Sequence, residues 1–141
     1  MKRFHHLGFL SYDAKQSAKY LETYYGSAEW TYMEAEFKQD CLDVGKEFKI
    51  FVAFAELDGK PIEIIQPISG DESYLMTALK SRGPGFHHIA YMYDSEEERR
   101  KDIDKMVADG FTIVHAAERV KGHGTHYLVS PDNSSVIEVK C

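Results

Sequence analysis

Phe86-His87-His88-Ile89-Ala90-Tyr91-Met92-Tyr93-Asp94 is the stretch on which the fold turns, because the chain carries it twice. The other copy is Phe4-His5-His6-Leu7-Gly8-Phe9-Leu10-Ser11-Tyr12-Asp13. Phe-His-His, an apolar residue, a small residue and an aromatic recur in register, with the His-His pairs 82 residues apart. An Asp follows each, one position earlier in the second copy. A repeat of this kind points to two supersecondary units that bury a shared core.

The same elements follow each copy. In the first, Asp13 or Ser11 is placed to cap a helix over Ala14–Tyr25. Ala18, Leu21 and Tyr25 have helical spacing, and Gly26 stops the helix. In the second, Asp94 or Ser95 is the cap, Ile103, Met106 and Val107 form the apolar face, and Gly110 is the stop. The run Glu96-Glu97-Glu98-Arg99-Arg100-Lys101 mixes signs and reads as the solvated face of that helix's start. Each copy then closes with a hairpin. The first joins residues 50–56 to 62–65 through Asp58-Gly59-Lys60-Pro61; the second joins residues 127–130 to 136–139 through Pro131-Asp132-Asn133-Ser134. With residues 30–37 as a further strand, the order in each copy is βαβββ. Module one then covers about residues 1–66 and module two about 86–141, within a single domain. Between them, about residues 67–85 form a connector. It holds Pro67, Gly70, a short helix over 73–80 and the punctuation Arg82-Gly83-Pro84-Gly85.

The bulk numbers fit a globular protein and argue against other classes. Of 141 residues, 43% are hydrophobic, 13% aromatic and 28% charged, enough to build a core and too apolar for disorder. The net charge of −6 and the absence of a basic stripe argue against nucleic-acid binding. Cys41 and Cys141 form no CxxC and suggest neither a disulfide scaffold nor a thiolate metal site. Met1-Lys2-Arg3 runs straight into a strand pattern with no signal-peptide core, and no apolar run approaches the about 18 residues of a membrane span. The expectation is a cytoplasmic protein with no membrane partner.

Polar residues recur at matching places inside the apolar strands. Glu63 is the one ionisable residue of 62–65, between Ile62 and Ile64; Glu138 is the one of 136–139, between Ile137 and Val139. A carboxylate on a covered sheet face is costly unless it is paired or bound to metal. Two imidazoles and two carboxylates suit Zn, Ni, Co, Mn or Fe(II) and leave coordination positions for water or substrate. Side chains alternate along a strand, so His6 and His88 can share one face while His5 and His87 take the other. Spacing does not say which pair faces inward. A lone strand histidine is ordinarily structural, and a Glu in a terminal strand ordinarily faces solvent. The symmetric recurrence of both argues for a metal, although the four residues come singly from four strands and form no compact motif such as HExxH.

These stretches resemble the vicinal oxygen chelate superfamily, in particular its methylmalonyl-CoA epimerase-like and glyoxalase-like members. The resemblance rests on His6-Leu7-Gly8-Phe9, on residues 61–68 (Pro61-Ile62-Glu63-Ile64-Ile65-Gln66-Pro67-Ile68), on Gly85-Phe86-His87-His88-Ile89-Ala90-Tyr91, on Gly122-His123-Gly124 and on Val136-Ile137-Glu138-Val139. They span nearly the whole chain. The resemblance implies an α+β fold in which two βαβββ modules form one cupped mixed sheet around a metal site. It also implies one divalent ion (Zn, Ni, Co or Mn) held by His6, Glu63, His88 and Glu138, and a homodimer.

In this family the metal polarises a carbonyl and a carboxylate removes the adjacent proton. Glu138 is the first candidate for that base, and Glu63 or Glu47 for the acid that returns the proton. Some epimerases carry a further carboxylate on the strand before the third ligand; here that region reads Glu47-Phe48-Lys49-Ile50-Phe51, and Glu47 or Lys49 falls at the position. His123 and His126 are read as contacts to an anionic part of a small-molecule substrate, or as members of a solvated loop. The expected function is an epimerase or isomerase acting on an acyl-CoA such as methylmalonyl-CoA. The alternatives are a glyoxalase I-type lactoylglutathione lyase and a non-catalytic small-molecule-binding resistance protein.

Overall fold

The computed structural model describes residues 1–141. Strand β1 (Lys2–Leu10) leads into helix α1 (Ala14–Tyr25), then β2 (Thr31–Phe37), a 3-10 turn (Gln39–Cys41), β3 (Leu42–Val44) and the hairpin of β4 (Phe48–Leu57) and β5 (Lys60–Ser69). Helix α2 (Tyr74–Arg82) carries the chain to β6 (Gly85–Tyr93), α3 (Glu96–Ala108), β7 (Thr112–Val120), β8 (His123–Val129) and β9 (Val136–Lys140). The local signals act as expected at both helix starts. The Asp13 side chain accepts from the Gln16 N–H, and Ser95 accepts from the Glu98 N–H. Asp58 and Gly59, both at positive φ (50° and 73°), make a two-residue hairpin turn, so Lys60 and Pro61 already belong to β5.

All strands join one mixed sheet in the order β2-β4-β5-β1-β6-β9-β8-β7-β3. Read from its centre, the order is nearly a palindrome. β1 pairs parallel with β5 and β6 parallel with β9, while β1 and β6 run antiparallel to each other. The registers repeat as well: Gly8 stands opposite Glu63, Ala90 opposite Glu138, and across the central pair His6 faces Ala90 as Gly8 faces His88. The fold is therefore the α+β cupped sheet that the family resemblance implied. β3 breaks the symmetry. It leaves module one to pair antiparallel with β7 at the far edge, and Phe37 at the end of β2 packs edge-on against His115 of β7. The two ends of the sheet are thereby drawn together around a cavity.

Helix α2 lies on the main core, where Leu75 and Leu79 meet Leu10, Ile50, Val52 and Ile65. α1 packs its small residues Ala14 and Ala18 on Ala53, Ile62 and Ile64, and α3 sends Ile103 onto Tyr93, Leu128 and Val139. No helix is long and apolar enough to cross a membrane. Both cysteines are free thiols.

Three sequence readings need correction. Arg99 does not lie on a solvated face: it is 1% exposed, held by Glu96 at 2.8 and 2.5 Å and by His126 Nδ1 at 2.8 Å. His123 and His126 are not loop residues, because the β7–β8 turn is confined to Lys121 and Gly122 and both histidines lie on β8. Simple alternation also fails at the His-His pairs. The β1–β6 register slips between Phe4 and His6 and again between Gly8 and Phe9, leaving His5 and His87 as the extra residues of two β-bulges.

Candidate metal centre

Four strands bring one side chain each to a single point. His6 from β1, Glu63 from β5, His88 from β6 and Glu138 from β9 present ligand atoms that all lie within 4.8 Å of one another. His6 Nε2 is 3.2 Å from His88 Nε2, 3.2 Å from Glu138 Oε2 and 3.4 Å from Glu63 Oε1; His88 Nε2 is 3.3 Å from Glu138 Oε2. Donors about 2.1 Å from one ion stand about 3.0 Å apart at a right angle and about 3.4 Å apart at the tetrahedral angle. These four separations fit donors arranged around a common ion.

The environment supports the same reading. Both histidines are fully buried, and Glu138 is 3% exposed. Glu138 Oε2 is buried and makes no hydrogen bond despite its closeness to both imidazoles. A buried carboxylate oxygen whose close polar neighbours are two imidazole nitrogens, neither in hydrogen-bonding geometry, fits a cation set among them. Burial works to lower the His6 pKa, but the Glu138 and Glu63 carboxylates outweigh it and raise it to about 9. Burial pushes the Glu138 pKa up, whereas Lys140, His6 and His88 draw it well below the usual carboxylate range. The cluster thus attracts positive charge to its centre and keeps its buried carboxylate ionised.

Outside the four lie features that the sequence reading missed. His5 Nδ1 is 2.7 Å from His6 Nδ1, and His87 Nδ1 is 2.9 Å from His88 Nδ1. His87 Nε2 is in turn 2.9 Å from the Tyr74 hydroxyl. Burial, with the neighbouring His88 adding to it, lowers the His87 pKa to about 3 and keeps that ring neutral. Gly8 makes room for this arrangement, since a Cβ there would fall on the His88 ring.

The centre forms the floor of a cavity of about 360 Å³ reached by both Glu63 and Glu138. One wall, from β2 and β4, is apolar: Met33, Ala35, Phe48, Ile50 and Val52. The other, from β7 to β9, carries His115, Arg119, His123, Tyr127 and Lys140. Burial lowers the His115 pKa to about 4, so this ring is neutral. Of the expected substrate contacts, His123 lines the cavity, whereas His126 belongs to the opposite face of β8 and binds Arg99. Glu47 is exposed, precedes β4 and does not line the cavity; Lys49 is exposed as well.

Comparison with known proteins agrees with this architecture. The sequence pattern of the Glyoxalase/Bleomycin resistance protein/Dioxygenase superfamily matches residues 5–129. No curated protein matches the chain in sequence. Among solved structures, a hypothetical protein of Bacillus halodurans C-125 is 23% identical, with 99% of this chain and 93% of that one covered at a TM-score of 0.62. A variant methylmalonyl-CoA epimerase of Streptomyces coelicolor in complex with 2-nitronate-propionyl-CoA is 19% identical, with 98% and 95% covered at a TM-score of 0.64. The methylmalonyl-CoA epimerase of Mycobacterium tuberculosis is 17% identical, with 97% and 85% covered at a TM-score of 0.62. At these identities the structures establish a shared fold. The sequence pattern carries the family: the chain belongs to the glyoxalase/bleomycin resistance protein/dioxygenase superfamily.

Proposed function

We propose that this protein is a divalent-metal-dependent epimerase or isomerase that removes a proton from the carbon α to a carbonyl, with acyl-CoA thioesters of the methylmalonyl-CoA type as the substrate class. The observation that carries the reading is Glu138 Oε2, a buried carboxylate oxygen without a hydrogen bond, set between two imidazole nitrogens. His6, Glu63, His88 and Glu138 are the proposed ligands. When bound, the metal supplies Lewis acidity to the substrate carbonyl oxygen and stabilises the charge that develops on it. Glu138 accepts the α-proton, helped by a shell that keeps it ionised at neutral pH. Glu63, whose side chain is 17% exposed on the cavity floor, returns a proton. The apolar β2–β4 wall takes the acyl portion and limits water, while Arg119, His123 and Lys140 favour an anionic group on the opposite side.

One observation favours a second reading, a glyoxalase I-type lyase acting on a thiol hemithioacetal. Epimerisation needs an acid on the face opposite the base, yet the β4 residues lining the cavity are Phe48, Ile50 and Val52, with no carboxylate among them. A proton transfer between adjacent carbons needs only the two floor carboxylates, Glu63 and Glu138. Retention of a buried ligand set weighs against the third alternative, a resistance protein that only binds its ligand. Exposed aromatic residues on and before α1 (Tyr12, Tyr20, Tyr24 and Tyr25) offer apolar surface for a second copy, in line with the homodimer expected from the family.

The test begins with metal analysis of the purified protein. Exchange of the substrate α-proton in D₂O is then followed over a panel of acyl-CoA thioesters and hemithioacetals. Exchange into an acyl-CoA without net lyase turnover supports the epimerase; turnover of a hemithioacetal selects the lyase. A metal-loaded protein that binds members of either class and exchanges none of them overturns both.

A further inference from the structure

Two adjacent histidines on one strand ordinarily point to opposite faces, so their rings do not meet. Here they meet twice. His5 is the extra residue where Phe4 pairs with Tyr91 and His6 with Ala90; His87 is the extra residue where His88 pairs with Gly8 and Phe86 with Phe9. Each β-bulge turns a histidine toward its neighbour, and the Nδ1 atoms close to 2.7 Å in β1 and 2.9 Å in β6. In each pair the neighbour's remaining nitrogen, Nε2, is the atom aimed at the carboxylates.

A neutral imidazole has one N–H and one lone pair, so these distances constrain the protons. For His6 and His88 to offer lone pairs at Nε2, each must carry its proton at Nδ1. Each Nδ1–H then needs an acceptor, and the only one at hydrogen-bond distance is the Nδ1 of His5 or His87. On the second side the order continues: His87 accepts at Nδ1, holds its proton at Nε2 and donates it to the Tyr74 oxygen 2.9 Å away. The His87 side is 4% exposed and anchored to α2, whereas His5 is half-buried and has no such anchor.

We propose that His5 and His87 are positioning residues that fix the tautomer and ring orientation of the ligand histidines through the two bulges, with His87 the stronger because Tyr74 locks it in turn. The inference rests on the metal-site reading above. Outer partners of ligating histidines commonly contribute 10–100-fold to metal affinity.

The test uses the full chain and two independent readouts. The first needs no metal: long-range ¹H–¹⁵N correlation spectra of the metal-free protein report the tautomer of each imidazole. His88 is expected with its proton on Nδ1, and His87→Phe is expected to abolish that preference. The second is affinity for Co²⁺ or Zn²⁺, measured by competition with a chromophoric chelator. His87→Phe is expected to weaken binding roughly 10–100-fold. His87→Asn, whose Oδ1 can stand where Nδ1 stood, is expected to recover binding to within a few-fold of the parent. His5→Phe and Tyr74→Phe should each weaken it less than His87→Phe. Equal affinity of the parent, Phe and Asn proteins overturns the proposal, as does a His88 proton on Nε2 in the metal-free parent. A parent protein that binds no metal, yet has its His88 proton on Nδ1, sinks the metal-site reading and leaves the tautomer lock standing.

Discussion

Gly8 is glycine because the His88 ring occupies the space where its side chain would be. Its pseudo-symmetric counterpart Ala90 stands across from His6 and keeps a methyl group, so the two halves are not equally tight. Gly8→Ala is therefore expected to displace the His88 ring. Metal affinity, read by chelator competition, should fall by at least tenfold, and urea unfolding should show a loss of about 1–3 kcal/mol. A variant with parental affinity would mean that the ring tolerates displacement. Glu138→Gln separates ligand from base, since Gln still offers an oxygen but cannot take a proton. It should retain metal while α-proton exchange drops roughly 10²–10⁴-fold; parental exchange would move the base to Glu63. The residue scale also shows what the sequence conveys. The repeat displays Glu63, Glu138 and the two His-His pairs because they recur at matching positions in apolar strands, and the family resemblance picks His6 and His88 out of the pairs. The roles of His5 and His87 are not visible, because a bulge is a property of the β1–β6 pairing and not of either strand alone.

Arg99 illustrates the same limit for whole elements. In the sequence it is one charge among six at the start of a helix; in the fold, α3 lays it flat against β8, where Gly124 has no side chain to obstruct the guanidinium. His126 turns to Arg99 because strand alternation sends Thr125 and Tyr127 to the cavity and the residue between them to the opposite face. His126 therefore stands away from the cavity and His123 lines it, both on a strand that begins right after the short Lys121-Gly122 turn. The energetics of this cluster are asymmetric. Arg99 is 1% exposed, while the Glu96 side chain keeps 29% of its surface in water. Removing Glu96 strands a buried cation, whereas removing Arg99 leaves a carboxylate that water can reach. Glu96→Ala is expected to cost about 3–5 kcal/mol in chemical unfolding, and Arg99→Met clearly less. The reverse order would show that the arginine stem's packing matters more than its charge.

On the scale of the whole molecule, the proposed ligands divide evenly, His6 and Glu63 from the first half and His88 and Glu138 from the second, so the candidate centre lies on the seam. Duplication made this legible: inward-facing residues that recur on the inner strands, β1 with β5 and β6 with β9, are brought beside the pseudo-symmetry axis when β1 and β6 pair. What the sequence concealed is the part that is not duplicated. Only module one sends a strand, β3, to the far edge, and three residues are too few to leave a periodic signal. The location of the centre has a consequence for stability. In the metal-free protein, burial depresses the pKa of His115 and of His126 to about 4, below the 6.5 of a free histidine. The unfolded chain then binds protons that the folded chain refuses. Their contribution is complete above pH 6.5 and is lost as pH falls toward 4, on the order of 3 kcal/mol for His115. His6 acts in the opposite sense, because its pKa is raised to about 9. Its contribution is complete below pH 6.5 and is lost as pH rises through 9. Metal-free protein should therefore be most stable between these limits, with unfolding free energy falling toward both pH 5 and pH 10. A divalent ion held by these residues would take the place of the His6 proton, so metal should remove the alkaline decline and leave the acid one. At a free metal concentration a hundredfold above Kd, the gain at neutral pH should be about 2.7 kcal/mol. Urea unfolding at pH 5, 7.5 and 9.5, with added metal and with chelator, checks each limb. If metal stabilises the protein no more at pH 9.5 than at pH 5, the ion is not replacing a proton at the seam, and the assignment of His6 as a ligand fails.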